Sequence, residues 1–367
     1  MNTSTRSIYS VLIYLRGIVS AVVMGAGILA LCACGGKTAV TLTEVATSES
    51  LWTGVAVSEE GRIFVNYPRW FESVTVSVAE LLPSGETVPY PDETWNSWNP
   101  DLPFREQFVC VQSVVVDKND NLWILDPAPA WLTRGAPGGP KLLKVDLTTD
   151  QVIQIIHFDA HIAPPGSYLN DVRVDNRRNW AYLTDSGLGA IVAVDLSTRQ
   201  ARRVLANHPS TKAEDVVLVI EGQEYLSGDG SRPQIHSDGI ALDAHGRYLY
   251  YQALTGHSLY RIPTAALHDT ALSASELASK VELFATPGPA DGIAFGTDGH
   301  LYLTSLELNA VRRVTPSGKV RMVVQDTRLK WPDSFAVSPD NTIYVTTSQI
   351  HLLGRITEPF RILKFHP

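Results

Sequence analysis

Six polar residues hold one place in a recurring pattern: Thr53, Gln112, Asn170, Asp238, Asp291 and Asp333. Each stands two residues ahead of an alternating apolar run, as in Asp238-Gly239-Ile240-Ala241-Leu242 and Asp291-Gly292-Ile293-Ala294-Phe295. Three carboxylates, two amides and a hydroxyl make an oxygen-rich donor set, the kind that suits Ca²⁺ or another divalent cation. Brought together, the carboxylates repel one another unless a proton or a cation sits among them. The three carboxylates are therefore candidate metal ligands, and all six residues are candidates to contact a small polar ligand. A local role competes with this one, because an Asp at the start of a strand can bond nearby backbone N–H groups and set a turn. Both roles stand at this stage. His236, Arg232 and Glu221, on the approach to Asp238, are second-rank candidates for the same place, and Asp126 and Asp185, after a second apolar run, are assigned to turns. The sequence has no G-x-S-x-G elbow, His-Glu-x-x-His, Cys pair for zinc or P-loop, so no catalytic nucleophile and base can be named.

The elements that must position these residues follow from the repeat. Apolar run, polar turn and a second run rich in Tyr mean strand, turn, strand. Copies begin at Trp52, Val111, Leu169, Ser237, Ala290 and Pro332, with turns such as Glu59-Glu60-Gly61, Thr297-Asp298-Gly299 and Pro339-Asp340-Asn341. Self-similarity at a period of tens of residues, in short strands with about four per repeat, predicts an all-β, six-bladed β-propeller. The start of each innermost strand then faces the central channel at a common mouth, where the six polar residues converge. Val40–Val45 and Phe360–Phe365 both alternate and are the candidates to close the ring in one shared blade. Pro263–Leu283 is the one short helical insertion, with Ser273 and Glu276 spaced as a capping box. Leu82–Phe108, Pro127–Pro140, His157–Tyr168 and Ala206–Ile235 are long irregular connections, where function tends to sit on a rigid scaffold.

The chain has 367 residues and a net charge of −8. The acidic balance, with no basic stripe, argues against a nucleic-acid partner. Arg6 and Arg16 precede an uncharged apolar run from Gly17 to Cys34, the pattern of an export signal. Its end, Leu31-Cys32-Ala33-Cys34, resembles the lipobox of bacterial lipoproteins, which implies cleavage before Cys34 and lipid attachment there. An ordinary cleaved signal or an uncleaved anchor helix are the alternatives. The expected organisation is a signal peptide over 1–33, a lipidated tether over 34–39 and the propeller over 40–367. Gly35 follows the lipidated position, so by resemblance the expected location is the cell envelope, at the outer membrane or its periplasmic or extracellular face, with the lipid as sole membrane contact. Cys110 then remains as a lone thiol without a disulfide partner, and a monomer is expected.

The stretch Ser237–Leu242, then Leu249–Thr255, then Leu259–Ile262, and the tail Glu358-Pro359-Phe360-Arg361-Ile362 resemble the major royal jelly protein/Yellow family. The resemblance runs over most of residues 50–366 and implies a secreted six-bladed propeller. Insect members are linked to dopachrome-type pigment chemistry, nutrition or binding of small amines. Animal members carry disulfides that this chain cannot form. A more distant resemblance is to the SMP-30/gluconolactonase/regucalcin group, whose metal ligands are a Glu in the first unit, an Asn in the fourth and an Asp in the fifth. Its third-unit Asn contacts substrate. The matching positions are Thr53, Asp238, Asp291 and Asn170; the first-unit carboxylate has become a hydroxyl. Three readings result. One is a lipid-anchored propeller that binds a small polar or aromatic-amine ligand at its acidic mouth. The second is an enzyme, either a metal-dependent lactonase or a quinone-type tautomerase. The third is a protein-interaction scaffold.

Overall fold

A computed structural model describes residues 40–133 and 138–367. The signal segment, the Cys34 box and the tether lie outside the described residues. Among the described residues no helix is long and apolar enough to cross a membrane.

Six four-stranded antiparallel sheets form a ring. Their innermost strands are Val55–Val57, Ser113–Val116, Leu169–Asp175, Ser237–Leu242, Ile293–Phe295 and Pro332–Val337, defining blades I to VI. Each innermost strand packs on the next, and the sixth returns to the first. Blade VI is assembled from both ends of the domain. Its two inner strands, Pro332–Val337 and Ile343–Thr347, are followed by Phe360–Phe365, and Thr43–Ser48 forms the outer edge, with Thr43 opposite Lys364. The ring is thus closed as the terminal alternation predicts, although the first strand begins at Thr43 and not at Val40. Leu42 is buried in the layer between blades V and VI.

The turn chemistry explains why each blade folds back on itself. Between first and second strands stand Gly61, Asp120, Asn179, Gly246, Gly299 and Asn341, all with positive φ between 55° and 86°. Gly, Asn and Asp tolerate this region best, which is why these residue types mark the turn in every copy. The core is distributed in wedges between neighbouring blades. Phe64, Val78, Leu122 and Leu143 fill the first wedge, and Trp123, Leu142, Leu183 and Val194 the second. Equivalent wedges follow around the ring to Trp52, Val55, Ala336 and Ile362, which join blade VI to blade I. A strand covered on both faces reads as a continuous apolar run, and Ile191-Val192-Ala193-Val194 is fully buried.

The insertion after Pro263 consists of two short helices, Thr264–His268 and Ala274–Ala278, the second opened by the Ser273/Glu276 capping box. Single turns of helix also occur at Glu93–Asn96 and Ala130–Thr133, inside connections expected to be irregular throughout.

Candidate functional site

Three of the column residues sit in β-bulges. In blades III, IV and VI the register slips by one residue between Leu169 and Val172, Ser237 and Ile240, and Pro332 and Phe335. The two residues within each slip face a single residue across the pair, an arrangement that re-aims a side chain. Asn170-Asp171, Asp238-Gly239 and Asp333-Ser334 are those pairs. Glycine is needed after the acid because the next blade's backbone passes close by. A Cβ on Gly239 would lie 2.4 Å from the Asp291 carbonyl oxygen, and one on Gly292 2.2 Å from that of Asp333. The Asp-Gly pairs therefore mark blade-to-blade contact as well as a side-chain site.

Second-strand threonines tie these bulges together. Thr184 Oγ1 accepts from the Asp171 N–H at 3.3 Å and donates to the Asp238 carbonyl at 2.6 Å. Thr346 Oγ1 accepts from the Ser334 N–H at 3.0 Å and donates to the Thr53 carbonyl at 2.6 Å. Thr304 Oγ1 accepts from the Asp291 N–H at 2.9 Å. These threonines went unassigned in the sequence, although Tyr182-Leu183-Thr184, Tyr302-Leu303-Thr304 and Tyr344-Val345-Thr346 display the recurrence.

The structure gathers four of the six column residues and sends two elsewhere. Asn170 Nδ2 donates to Asp238 Oδ2 and to Ser186 Oγ, both at 2.9 Å. Asp291 lies within hydrogen-bonding reach of Asp238 and accepts from Trp331 Nε1 at 2.7 Å. Asp333 accepts from Ser334 Oγ at 3.0 Å. Asp238, Asp291 and Asp333 are only 3%, 8% and 3% exposed. Burial pushes all three carboxyls well above the ordinary carboxylate range. A neighbouring acid pushes each further: Asp333 acts on Asp238, Asp238 on Asp291, and Asp291 on Asp333. Thr53 and Gln112 do not join this group. Thr53 Oγ1 donates to the Gln112 carbonyl at 3.2 Å and accepts from Asn66 Nδ2 at 2.9 Å. Gln112 Oε1 accepts from the Tyr168 hydroxyl at 2.8 Å. Their side chains hold blades I, II and III together, so the expected convergence of six is a convergence of four.

Asp171 is a further acid at this end that the repeat alignment passes over. It accepts from Ser113 Oγ at 2.7 Å and from Arg173 Nη1 at 2.8 Å, and it adds to the upward push on all three buried acids. Arg173 Nη2 also donates to the Ile293 carbonyl at 2.9 Å, reaching from blade III to blade V. Beyond this arginine, at the other end of the channel, lies a cavity of about 230 Å³ whose walls include Val55, Val115, Leu242, Phe295, Phe335 and Val337.

The long connection from blade III to blade IV covers the acidic end. Its Leu218 and Ile220 pack with Leu254, Leu306 and Trp331, and the Tyr225 ring meets Trp331 edge-on at 5.1 Å. Trp331 is fully buried with φ of 48°, a conformation that a bulky residue adopts only when its surroundings impose it. His351 stacks on the Trp331 ring at 5.9 Å. Glu221 pins the connection, accepting from Asn309 Nδ2 at 3.0 Å and lying 3.1 Å from His351 Nε2. Of the second-rank candidates, Glu221 is thus a clasp. Arg232 pairs with Glu224 at 2.9 Å. His236 Nδ1 accepts from the Ala213 N–H at 2.9 Å, and burial holds its pKa down.

Asp126 and Asp185 do organise turns, and each buried carboxylate also belongs to an ion pair that the sequence did not reveal. Asp126 accepts from the backbone of Val109, Cys110 and Ala128, and Lys141 Nζ lies 2.8 Å away with both side chains fully buried. Asp185 accepts from the Tyr168, Gly187 and Leu188 N–H groups and pairs with Arg203 at 2.6 Å.

The fit to a metal is poor. Among the described residues no group of three or more His, Cys, Asp or Glu side chains is arranged to hold an ion. Asn170 and Trp331 already direct N–H donors at Asp238 and Asp291, and Thr53 keeps its hydroxyl for the blade I–II junction. One oxygen each of Asp238 and Asp291 is thus taken by a protein donor, and the first-unit position adds no ligand to the group.

A family model described as Major royal jelly protein matches residues 109–366. Curated relatives from Apis mellifera include major royal jelly protein 6, 26% identical over 183 residues, which span 47% of this chain and 39% of that protein. Major royal jelly protein 5 is 26% identical over 216 residues, 56% of this chain and 34% of that one. The chain therefore matches well under half the length of these relatives. Similar solved structures include a gluconolactonase from Xanthomonas campestris, with a TM-score of 0.56, 14% identity and coverage of 89% of this chain and 90% of that one. The calcium-binding protein regucalcin from Agrobacterium tumefaciens has a TM-score of 0.54 and 15% identity, with coverage of 87% and 92%. At these identities the structural likeness is one of fold.

Proposed function

This chain belongs to the major royal jelly protein family, and from that premise we propose that it is an exported, lipid-anchored propeller that binds a small polar or aromatic-amine ligand at the acidic end of its channel. The observation that carries the proposal is the burial of Asp238, Asp291 and Asp333 together beside Asn170. Burial and mutual repulsion favour the protonated form of these three acids, and an ammonium group can take the place of such a proton. The half-buried Tyr225 ring lies at the same end, against Trp331, and is the aromatic face offered to an ammonium group. Entry requires the connection clasped by Glu221 to open.

Calorimetric titration with dopamine tests this. Binding should release protons from the acids, so the measured heat should depend on the ionisation enthalpy of the buffer. Affinity should rise from pH 6 to pH 8, while the amine remains protonated. Ca²⁺ serves as a competitor in the same experiment. Identical isotherms for the wild type and for Asp238→Asn/Asp291→Asn would reject the site. Anchoring is tested separately: Cys34→Ala should release the protein from membranes or block its processing, and membrane fractionation at mature size would reject the lipobox.

The hydrogen bond between Asp238 and Asp291 favours a second reading, tautomerisation of a quinone-type substrate, in which one carboxyl gives a proton and the other takes one. Turnover of a dopachrome-like substrate that Asp291→Asn abolishes would support it. Binding without turnover would leave the amine-binding reading alone.

A further inference from the structure

A second cavity lies away from the acids, over blades I and II. Its volume is about 1050 Å³, and its walls include Arg69, Trp70, Phe71, Trp98, Phe104 and Arg105. The Trp98 and Phe104 rings stack at 5.8 Å with planes 16° apart. The Arg69 guanidinium carbon lies 5.4 Å from the centre of the Trp98 ring. Phe71 and Leu102, 45% and 53% exposed, give the cavity an apolar rim.

Arg69 is the distinctive residue. It is 6% exposed, and its hydrogen bonds all go to neutral acceptors. Nε donates to the Val109 carbonyl at 3.2 Å, Nη1 to the Val74 carbonyl, and Nη2 to Ser77 Oγ at 3.3 Å. Among the described residues it forms no ion pair, whereas the fully buried Lys141 has a carboxylate. Burial holds the pKa of Arg69 below the ordinary arginine value. A guanidinium has five N–H donors, so three bonds leave donors unspent. The buried Asp126 carboxylate, itself paired with Lys141, offsets part of this charge through space, but a buried charge with no direct ionic partner remains costly. Glu72 and Asp101 also border the cavity, but both are exposed at its rim and neither pairs with Arg69. Arg105, likewise exposed at the rim, adds a second positive charge.

We propose that this cavity binds a flat aromatic carboxylate, its acid group on Arg69 and its ring against Trp98, Phe104 and Phe71. Guanidinium and carboxylate match in planar, two-point geometry, and stacked aromatic walls select a flat ring. The ligand is opposite in charge to the amine proposed for the channel, so the two sites can be separated experimentally. The cavity also adjoins the neutral half of the column: Trp70 Nε1 donates to the Tyr168 hydroxyl at 2.9 Å, which donates to Gln112.

Calorimetry with 4-hydroxyphenylacetate and tyramine, which share a ring and differ in charge, is the test. The acid should bind saturably with one site, and Arg69→Gln should weaken it about tenfold or more, the loss expected for a charge-assisted hydrogen bond. Phe71→Ala should weaken the acid several-fold and leave the dopamine titration unaltered, which distinguishes failure of this site from failure of the channel site. Should Arg69→Gln fail to fold by circular dichroism, Phe71→Ala carries the test, since its exposed ring is not part of the core. No saturable heat with the acid, or unchanged affinity in Phe71→Ala, overturns the proposal.

Discussion

Replacing Asp291 by Asn and by Ala separates a repelling acid from a structural one. Asp291 accepts from Trp331 Nε1 at 2.7 Å and lies against Asp238. Asn preserves this pattern: its carbonyl oxygen can accept from Trp331 and its amide can donate to Asp238, as the protonated acid does. Ala preserves neither, strands the buried indole N–H and leaves a void. An acid whose pKa is raised by folding binds its proton more tightly in the folded state. Its stabilising contribution is complete below the unfolded value near ~3.9 and is lost as pH rises through the folded value, at about 1.4 kcal/mol per unit of elevation. Wild-type stability should therefore fall from pH 4 to pH 8 through the column, and Asp291→Asn should flatten that fall. At pH 8 the Asn variant should equal or exceed the wild type, while Ala costs roughly 1–3 kcal/mol for the unpaired donor alone. At pH 4 the advantage of Asn should vanish. Urea unfolding at both pH values measures this. If Asn and Ala lose stability equally at pH 8, the shared-proton account of the column is wrong.

Deleting residues 358–367 removes the strand that pairs with both Ile343–Thr347 and Thr43–Ser48; the melting temperature should fall by more than ~10 °C, at ~2 °C per kcal/mol for a domain of this size, and an unchanged melt would refute closure there. Lys141→Met leaves the Asp126 carboxylate buried without its cation and should cost ~3–5 kcal/mol. Asp126→Asn/Lys141→Met should recover part of that loss in denaturant titrations, and strictly additive losses would contradict the pairing. Cys110 is fully buried, and burial pushes its thiol up to about 12. A thiol reagent at pH 8 should label it no faster than the protein unfolds, and rapid labelling of native protein would show that the site opens.

The ring was legible in the sequence because a propeller writes its geometry locally. Each turn needs a left-handed residue, and Gly61, Asp120, Gly246, Gly299 and Asn341 advertise it. The Asp238-Gly239 and Asp291-Gly292 pairs were visible for a related reason, since the next blade's backbone passes too close for a side chain after the acid. What stayed hidden depends on contacts between distant segments. Trp331 meets Asp291 across forty residues, and Glu221 meets His351 across a hundred and thirty. The split of the column into four and two arises from Asn66 and Tyr168, whose positions no pattern at Thr53 or Gln112 encodes. Arg69 was invisible as a site residue because its distinguishing property, burial with no ion pair among the described residues, is disclosed only by the folded arrangement.

Blade VI imposes an order on biosynthesis. Thr43–Ser48 is among the first strands of the domain to be made, and its partner Phe360–Phe365 is the last. Blades I to V contain only consecutive strands, so each can assemble as the chain emerges. The first strand must wait, and joining it closes a loop of ~320 residues at an entropic cost of roughly 5 kcal/mol. Until then the nascent domain carries two unsatisfied strand edges, the features most prone to pairing with a neighbouring chain. The final step locks the circle at once, joining the wedges on either side of blade VI. A chain that crosses a membrane before folding would gain from this arrangement, because the native state is withheld until residue 365 has arrived.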